Sequence, residues 1–196
     1  MLTTPLINSF LAYQRESGVE LEELGTGMAA LMAEDGGRHP LFELEKGNIS
    51  EDEFTRRLGA AIGKPLHSMR ETYFANLHPN EPMIELMREL RDAGFRMALL
   101  TNNVREWEPH WRAKLPDVDD IFELIVDSAF VGMRKPEPGI YELTLERLGD
   151  GVRPEDCLFV DDIEVNCDAA RELGMTAVQF TENDASIASI RAALAR

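Results

Sequence analysis

Three groups of polar residues follow short apolar segments and are of the types that phosphate and metal chemistry needs. Thr101 and Asn102 precede a predicted helix, where free backbone N–H groups favour an anion. Lys135 lies in a proline-rich loop, which would hold its charge rigidly toward a phosphate or a carboxylate. Asp161 and Asp162 end an apolar strand, where two carboxylates are costly unless a cation such as Mg²⁺ joins them.

Each group also has a purely structural alternative. Thr101 and Asn102 could only cap the helix that follows them. Lys135 could be an exposed loop lysine before a helix that begins with proline. Asp162 could likewise cap the next helix. All three groups, however, fall at successive strand ends on one predicted sheet edge, so together they favour a phosphate site with a metal attached.

The second half of the chain alternates between short apolar strands and helical periodicity. Strands are predicted at residues 96–101, 124–126, 158–160 and 176–180. Helices are predicted at residues 83–93, 105–115, 139–148, 164–173 and 185–195. This alternation is typical of an α/β fold with a doubly wound, Rossmann-like parallel sheet, whose ligand crevice lies at the carboxyl ends of the strands.

The first half of the chain, at residues 5–79, has helical spacing of its apolar residues and lacks β-branched runs, so it predicts a small helical bundle. Ser50 followed by Glu53 is the pattern of a capping box at the start of one helix. Phe42, Phe54 and Tyr73 are predicted to fill the core of this bundle. Its residues indicate no particular ligand, so the substrate is left open.

The composition argues against several classes of function. Lys and Arg total 20 and Asp and Glu total 36, and the resulting net charge of −16 should repel nucleic acid and anionic membranes. The apolar runs are too short to span a bilayer, and the first residues lack a signal-peptide pattern. Cys157 and Cys167 are too few for a disulfide framework, so we expect a cytoplasmic protein with reduced thiols. The four histidines lack zinc-ligand spacing, and no G-x-S-x-G, Walker or G-x-G-x-x-G motif is present.

The chain resembles the haloacid dehalogenase (HAD)-like hydrolases. Three segments carry the resemblance to the second, third and fourth motifs of that family, and they are residues 99–103, 134–141 and 158–166. The Asp-Asp pair resembles the Mg²⁺-dependent, phosphatase-like branch, and in particular the phosphatase domain of epoxide hydrolases. The resemblance implies an α/β core at residues 1–10 and 81–196, with a small helical cap inserted at residues 11–80.

The resemblance also implies roles for the polar residues. Thr101 and Asn102 would bind the phosphoryl group, and Lys135 would serve catalysis by neutralising both that group and the nucleophile. Mg²⁺ would be the cofactor. Its site would be built from three neighbouring residues, with Asp162 as the ligand and Asp161 and Asn166 in support. The reaction would be attack of an aspartate on phosphorus, giving an aspartyl-phosphate that water hydrolyses.

The first motif of the family departs from its pattern in this chain. In this branch an apolar strand leads into Asp-x-Gly-Gly-Val-Leu-Thr, whereas residues 1–5 resemble only the tail of that motif, with Thr3 as its supporting threonine. The nucleophile would fall a few residues before Met1, and Asp35 and Asp52 lie in the predicted cap. We therefore expect this chain to lack the nucleophile and the first, central core strand, and to be inactive as written.

Two main functional hypotheses follow. The first is a Mg²⁺-dependent phosphatase that acts on a small-molecule phosphate ester. The second is a catalytically inactive binding protein that keeps the same crevice. A 2-haloacid dehalogenase is disfavoured by Asp161 and Asp162, since dehalogenases usually lack that acidic pair. The oligomeric state is left open, although a sheet without its central strand would invite pairing between copies of the chain as a homo-oligomer.

Overall fold

The computed structural model describes residues 1–149 and 151–195, in which twelve α-helices, two 3₁₀ helices and four β-strands follow one another. The first five helices are α1 (Leu6–Ser17), α2 (Leu21–Glu34), α3 (Pro40–Glu45), α4 (Glu51–Ile62) and α5 (Met69–Ala75). Helix α2 packs on α4, and α1 packs on α5. The predicted helical bundle is therefore confirmed.

Local sequence accounts for the ends of the bundle helices. Ser50 caps α4, because its hydroxyl accepts a hydrogen bond from the Glu53 N–H at 3.1 Å. Gly63 ends the same helix in a left-handed conformation that suits glycine. A complete, reciprocal capping box is formed at the start of α2, by Glu20 and Glu23.

The remaining elements alternate between helices and strands. They are α6 (Glu81–Asp92), β1 (Ala98–Thr101), α7 (Glu108–Lys114), α8 (Val118–Ile121), β2 (Leu124–Asp127), α9 (Ser128–Val131), α10 (Pro138–Leu148), β3 (Leu158–Asp161), α11 (Glu164–Glu172), β4 (Thr176–Gln179) and α12 (Asn183–Leu194), with 3₁₀ helices at Arg105–Trp107 and Pro154–Asp156. All four predicted strands are present. Their alternation with helices confirms the predicted α/β class.

The strands form two parallel pairs. Strand β1 pairs with β2, with Thr101 opposite Asp127 at their carboxyl ends. Strand β3 pairs with β4, with Asp161 opposite Gln179 at the same ends. In the part of the chain that the structure describes, the two pairs are separate sheets rather than one continuous sheet. The expected strand between β1 and β3 stays a prediction.

One hydrophobic cluster joins the bundle to the α/β half. It includes Leu58 of α4, Met83 of α6 and Ile190 of α12, each with at most 1% of its surface exposed. A second cluster lies between β2 and α10 and is centred on Val126 and Ile140. The shared cluster fixes the bundle against the α/β half. The division into a cap at residues 11–80 and a core stays a prediction.

Three sequence predictions need correction. The helix predicted over residues 105–115 is a 3₁₀ turn followed by α7, because Pro109 lies in the first turn of α7 and cannot continue a helix from before it. Helices α8 and α9 were not predicted, since a single turn leaves no periodic pattern. Phe54 and Tyr73 are buried as predicted, whereas Phe42 is 39% exposed and lies under the Arg134 guanidinium at 3.8 Å.

Candidate functional site

Lys135 connects the ends of the two sheets. Its Nζ donates a hydrogen bond to the Asp161 carboxylate at 2.6 Å, at the end of β3. The same Nζ donates to the Leu100 carbonyl of β1 at 2.8 Å. The Lys135 side chain is only 10% exposed and that of Asp161 5%. Lys135 is therefore a buried lysine at the sheet edge, and the alternative of an exposed loop lysine is wrong.

Asn102 fixes the loop that carries Lys135. Its side-chain Nδ2 donates to the Lys135 carbonyl at 3.0 Å, and its Oδ1 accepts a hydrogen bond from the Lys135 N–H at 2.8 Å. The Asn102 amide group thus bonds to both the N–H and the carbonyl of Lys135, in another loop, and it does not cap a helix. Thr101, one residue earlier at the end of β1, is half-buried beside this junction.

Asp161 is held by the start of α11 as well as by Lys135. Its Oδ1 accepts hydrogen bonds from the Asn166 Nδ2 and from the Ile163 N–H, each at 2.9 Å. Tyr141 in turn donates its hydroxyl hydrogen to the Asn166 carbonyl at 2.9 Å. Both carboxylate oxygens of Asp161 are therefore hydrogen-bonded. Asp161, not Asp162, makes the turn into the helix, so the capping alternative for Asp162 is wrong.

Asp162 is the exposed acid of the pair. Within residues 1–149 and 151–195, no three His, Cys, Asp or Glu side chains are grouped closely enough to hold a metal ion by themselves. Mg²⁺ commonly takes one or two protein carboxylates and completes its shell with waters and substrate phosphate oxygens. The donor set at this edge fits an ion shared with a phosphate, and it does not fit a metal held by protein groups alone.

Thr3 lies in a segment that runs beside the chain leaving the bundle. It forms an isolated antiparallel bridge with Pro79, and the Asn80 N–H donates to the Leu2 carbonyl at 2.9 Å. Burial lowers the pKa of the Met1 amino group, while the nearby carboxylates of Asp162 and Asp161 oppose this shift. The Asn80 Nδ2 also donates a hydrogen bond to the Met1 carbonyl at 2.8 Å, so residues 1–3 lie beside Asn80.

Two residues of the bundle lie near the site and were missed from the sequence. Tyr73, in α5, is buried, and burial raises its pKa, with the charges of Asp162 and Glu45 adding to that shift. Glu45, at the end of α3, pairs with Arg134 at 2.6 Å. The sequence predicted Tyr73 only as a core residue of the bundle, and no local pattern marks Glu45, because its partner Arg134 is distant in sequence.

The model of the haloacid dehalogenase-like hydrolases matches residues 2–174. This chain belongs to that family, as its three motifs predicted.

Several phosphatases are among its relatives. A sesquiterpene phosphatase of Aspergillus oryzae is 29% identical over 186 residues, which cover 90% of this chain and 86% of the relative. A glyceraldehyde 3-phosphate phosphatase of Methanopyrus kandleri is 29% identical over 169 residues, covering 84% of this chain and 69% of the relative. Bifunctional epoxide hydrolase 2 of Mus musculus is 32% identical over 164 residues, covering 75% of this chain but only 29% of the relative. The likeness to phosphatases extends over most of the chain.

The fold has solved counterparts. A HAD family enzyme from Bacteroides thetaiotaomicron, in complex with magnesium and inorganic phosphate, superimposes with a TM-score of 0.64 at 23% identity, covering 89% of this chain and 85% of its own. At 23% identity, this structural similarity shows the fold alone. Among the described residues, no helix is long and apolar enough to cross a membrane. A cytoplasmic location stays a prediction from the sequence.

Proposed function

We propose that this protein is a Mg²⁺-dependent phosphatase-type hydrolase of small-molecule phosphate esters. The observation that carries the proposal is the buried Lys135–Asp161 pair, locked in place by Asn102 and bordered by the exposed carboxylate of Asp162. A buried cation beside a free carboxylate at strand ends suits a dianionic phosphate together with a divalent metal.

Each residue has a role that follows from its surroundings. Lys135 would neutralise the phosphoryl group, since its ammonium group is held on a fixed loop at the sheet edge. Thr101 would bind a phosphoryl oxygen through its hydroxyl. Asn102 would take part through the loop that it holds, because its amide is already bonded to Lys135. The roles of Lys135 and Thr101 agree with those that the family resemblance implies, whereas the resemblance has Asn102 bind the phosphoryl group directly.

The metal would be held by Asp162 together with the phosphate. When bound, Mg²⁺ would supply positive charge that offsets the charge of the phosphoryl group. Asp161 would contribute indirectly, since it orients Lys135 and the turn into α11 through its hydrogen bonds with Lys135, Asn166 and the Ile163 N–H. Thr3 would support the same end of the site.

The attacking group in the proposed reaction is an aspartate on a strand between β1 and β3. It would form an aspartyl-phosphate with loss of the alcohol, and water would then release inorganic phosphate. Asp161 holds Lys135 and the turn into α11, and Asp35 pairs with Arg57 of α4 at 2.7 Å, so the structure gives each of them a structural contact instead. We propose that the chain as given lacks this nucleophile.

A second candidate is a phosphate-binding protein without covalent chemistry. The contacts of Asp161 favour it for the chain as given, because this carboxylate holds Lys135, Asn166 and the Ile163 N–H in place, which is a structural role. Relatives named for a sesquiterpene phosphate and for glyceraldehyde 3-phosphate share little substrate chemistry beyond the phosphate ester. The proposal is accordingly limited to that class.

Hydrolysis of p-nitrophenyl phosphate, with and without Mg²⁺, tests the proposal. The chain as given would be compared with a chain extended upstream through the adjacent reading frame. We expect hydrolysis only by the extended chain and only with Mg²⁺. Failure of both chains, with phosphate binding retained, would favour the binding protein. Hydrolysis by the shorter chain would refute the assignment of the nucleophile.

A further inference from the structure

We propose that Glu45, at the end of α3, is a positioning residue that holds the two loops bearing Asn102 and Lys135 from the side of the helical bundle. This inference rests on the proposed function, because it treats those loops as the phosphate-binding part of the site. Glu45 reaches one loop through its side chain and the other through its main chain.

The side-chain contact is a buried ion pair next to Lys135. The Arg134 Nε donates a hydrogen bond to the Glu45 carboxylate at 2.6 Å, and the two side chains are only 13% and 17% exposed. The Arg134 guanidinium also lies over the Phe42 ring at 3.8 Å, so two residues of α3 hold it. Because Arg134 directly precedes Lys135, this pair fixes the approach of the lysine loop.

The main-chain contact leads to the other loop. The Ser128 hydroxyl donates to the Glu45 carbonyl at 2.6 Å and accepts a hydrogen bond from the Asn103 N–H at 3.0 Å. Ser128 is completely buried, so no water competes for these bonds. One hydroxyl therefore links the end of α3 to the residue that follows Asn102.

The turn after α3 lies directly against α9. Gly47 has a φ of +68°, and a Cβ at this position would collide with the Ala129 carbonyl oxygen. Arg105 donates a hydrogen bond to the same carbonyl. The close contact of Gly47 with α9 lies two residues after Glu45 and holds the end of α3 in place. A positioning role for Glu45 requires such a fixed helix end. Burial raises the pKa of Glu45, opposed by Arg134 and Lys135, which agrees with a carboxylate close to both cations.

The neighbouring ion pair provides a matched control. Lys46 contacts Glu137 at 3.3 Å in the same turn, but these side chains are 22% and 44% exposed. Glu137 lies two residues beyond Lys135. Glu137 also accepts a hydrogen bond from the Arg134 N–H at 3.4 Å. Replacing Lys46 therefore removes a charge between the same two segments and leaves the atoms of the Glu45–Arg134 contact in place.

Backbone hydrogen exchange reports on each contact separately. The Lys135 N–H bonds to Asn102 and the Asn103 N–H bonds to Ser128, while the Phe180 N–H bonds to the Asp161 carbonyl at 2.8 Å in the other sheet. We expect Glu45→Gln to raise the exchange rate about tenfold at Lys135, and by less at Asn103, with Phe180 unchanged. Lys46→Met should change none of the three.

Two further variants separate the two routes. Arg134→Met should act on Lys135 and leave Asn103 unchanged, and Arg134→Lys should restore part of the protection. Ser128→Ala should do the reverse and act on Asn103 alone. Unchanged exchange at Lys135 in Glu45→Gln would overturn the inference. An equal rise at Phe180 would do the same, because it would indicate general destabilisation.

Binding of inorganic phosphate in the presence of Mg²⁺ tests whether Glu45 affects the proposed phosphate site. We expect Glu45→Gln to bind about tenfold more weakly than the unaltered chain, and Lys46→Met to bind equally well. Equal binding by Glu45→Gln would contradict the positioning role. If the unaltered chain binds no phosphate, the phosphate site proposed for the chain as given fails, and the exchange rates at Lys135 and Asn103 then decide the role of Glu45 independently.

Discussion

Lys135 and Asp161 form the least exposed ion pair among the described residues, so each depends on the other. Lys135→Met should lower the free energy of unfolding by about 3–5 kcal/mol, because it leaves a buried carboxylate without its cation. Urea denaturation without added metal would measure the loss.

The matched control is an exposed pair. Arg191→Met breaks the contact of Arg191 with Glu89, whose side chains are 59% and 54% exposed, and should cost no more than about 1 kcal/mol. Similar losses for Lys135→Met and Arg191→Met would mean that the Lys135–Asp161 pair is not buried as described.

The buried carboxylate of Asp127 should make the stability of the protein depend on pH, and this effect is independent of the proposed reaction. It caps α9 by accepting from the Ala129 N–H at 3.0 Å, and its Oδ2 is buried without a partner in the described residues. Burial raises its pKa from 3.8 to about 6, so the folded state holds the proton more tightly than the unfolded chain. The stability that this proton gives is present below about pH 4 and is lost as the pH rises through 6.

The test for Asp127 compares two stability curves. Relative to Asp127→Asn, which keeps the cap, the unaltered chain should lose about 2–3 kcal/mol of unfolding free energy between pH 4 and pH 7. Chemical denaturation at several pH values would reveal the difference. Parallel curves for the two proteins would contradict the raised pKa.

At the scale of elements, the close contact between the turn after α3 and α9 can be tested with two glycines. Gly47 and Gly63 have almost the same φ, +68° and +69°, but only Gly47 has a backbone carbonyl where a Cβ would go. Gly63→Ala should cost about 1–2 kcal/mol of unfolding free energy, from the left-handed conformation alone. Gly47→Ala should cost about 1–3 kcal/mol more, because α3 must move away from α9. Equal losses would show that the contact is loose.

The sequence predicted which strands and loops carry the site residues better than it predicted the contacts between them. Thr101 and Asp161 could be located because each ends an apolar run in a strand–helix alternation, which is a local signal. The same signal carried the family motifs. Phe42 and Tyr73 were both predicted to fill the core of the helical bundle, and of these two only Tyr73 is buried. Contacts such as Glu45 with Arg134 depend on how the bundle packs, and no local pattern encodes them.

At the scale of the whole molecule, the net charge of −16 opposes the binding of any anion. In the proposed function, a phosphate would therefore be attracted locally, by Lys135 and by a metal at Asp162. The strands of the described residues form two separate pairs, and we propose a further strand between them. Phosphate binding can be measured without the aspartate nucleophile that we propose on this strand. Binding is therefore a more direct test of the proposed phosphate site than turnover.

The most direct measurement is calorimetric titration of inorganic phosphate into the full chain, with Mg²⁺ and with a chelator. We predict binding that weakens more than about tenfold when Mg²⁺ is removed, and an equal loss in Asp162→Asn with Mg²⁺ present. Affinity that is the same with Mg²⁺ and with the chelator, or that Asp162→Asn leaves unchanged, would contradict a phosphate site completed by a metal at this sheet edge.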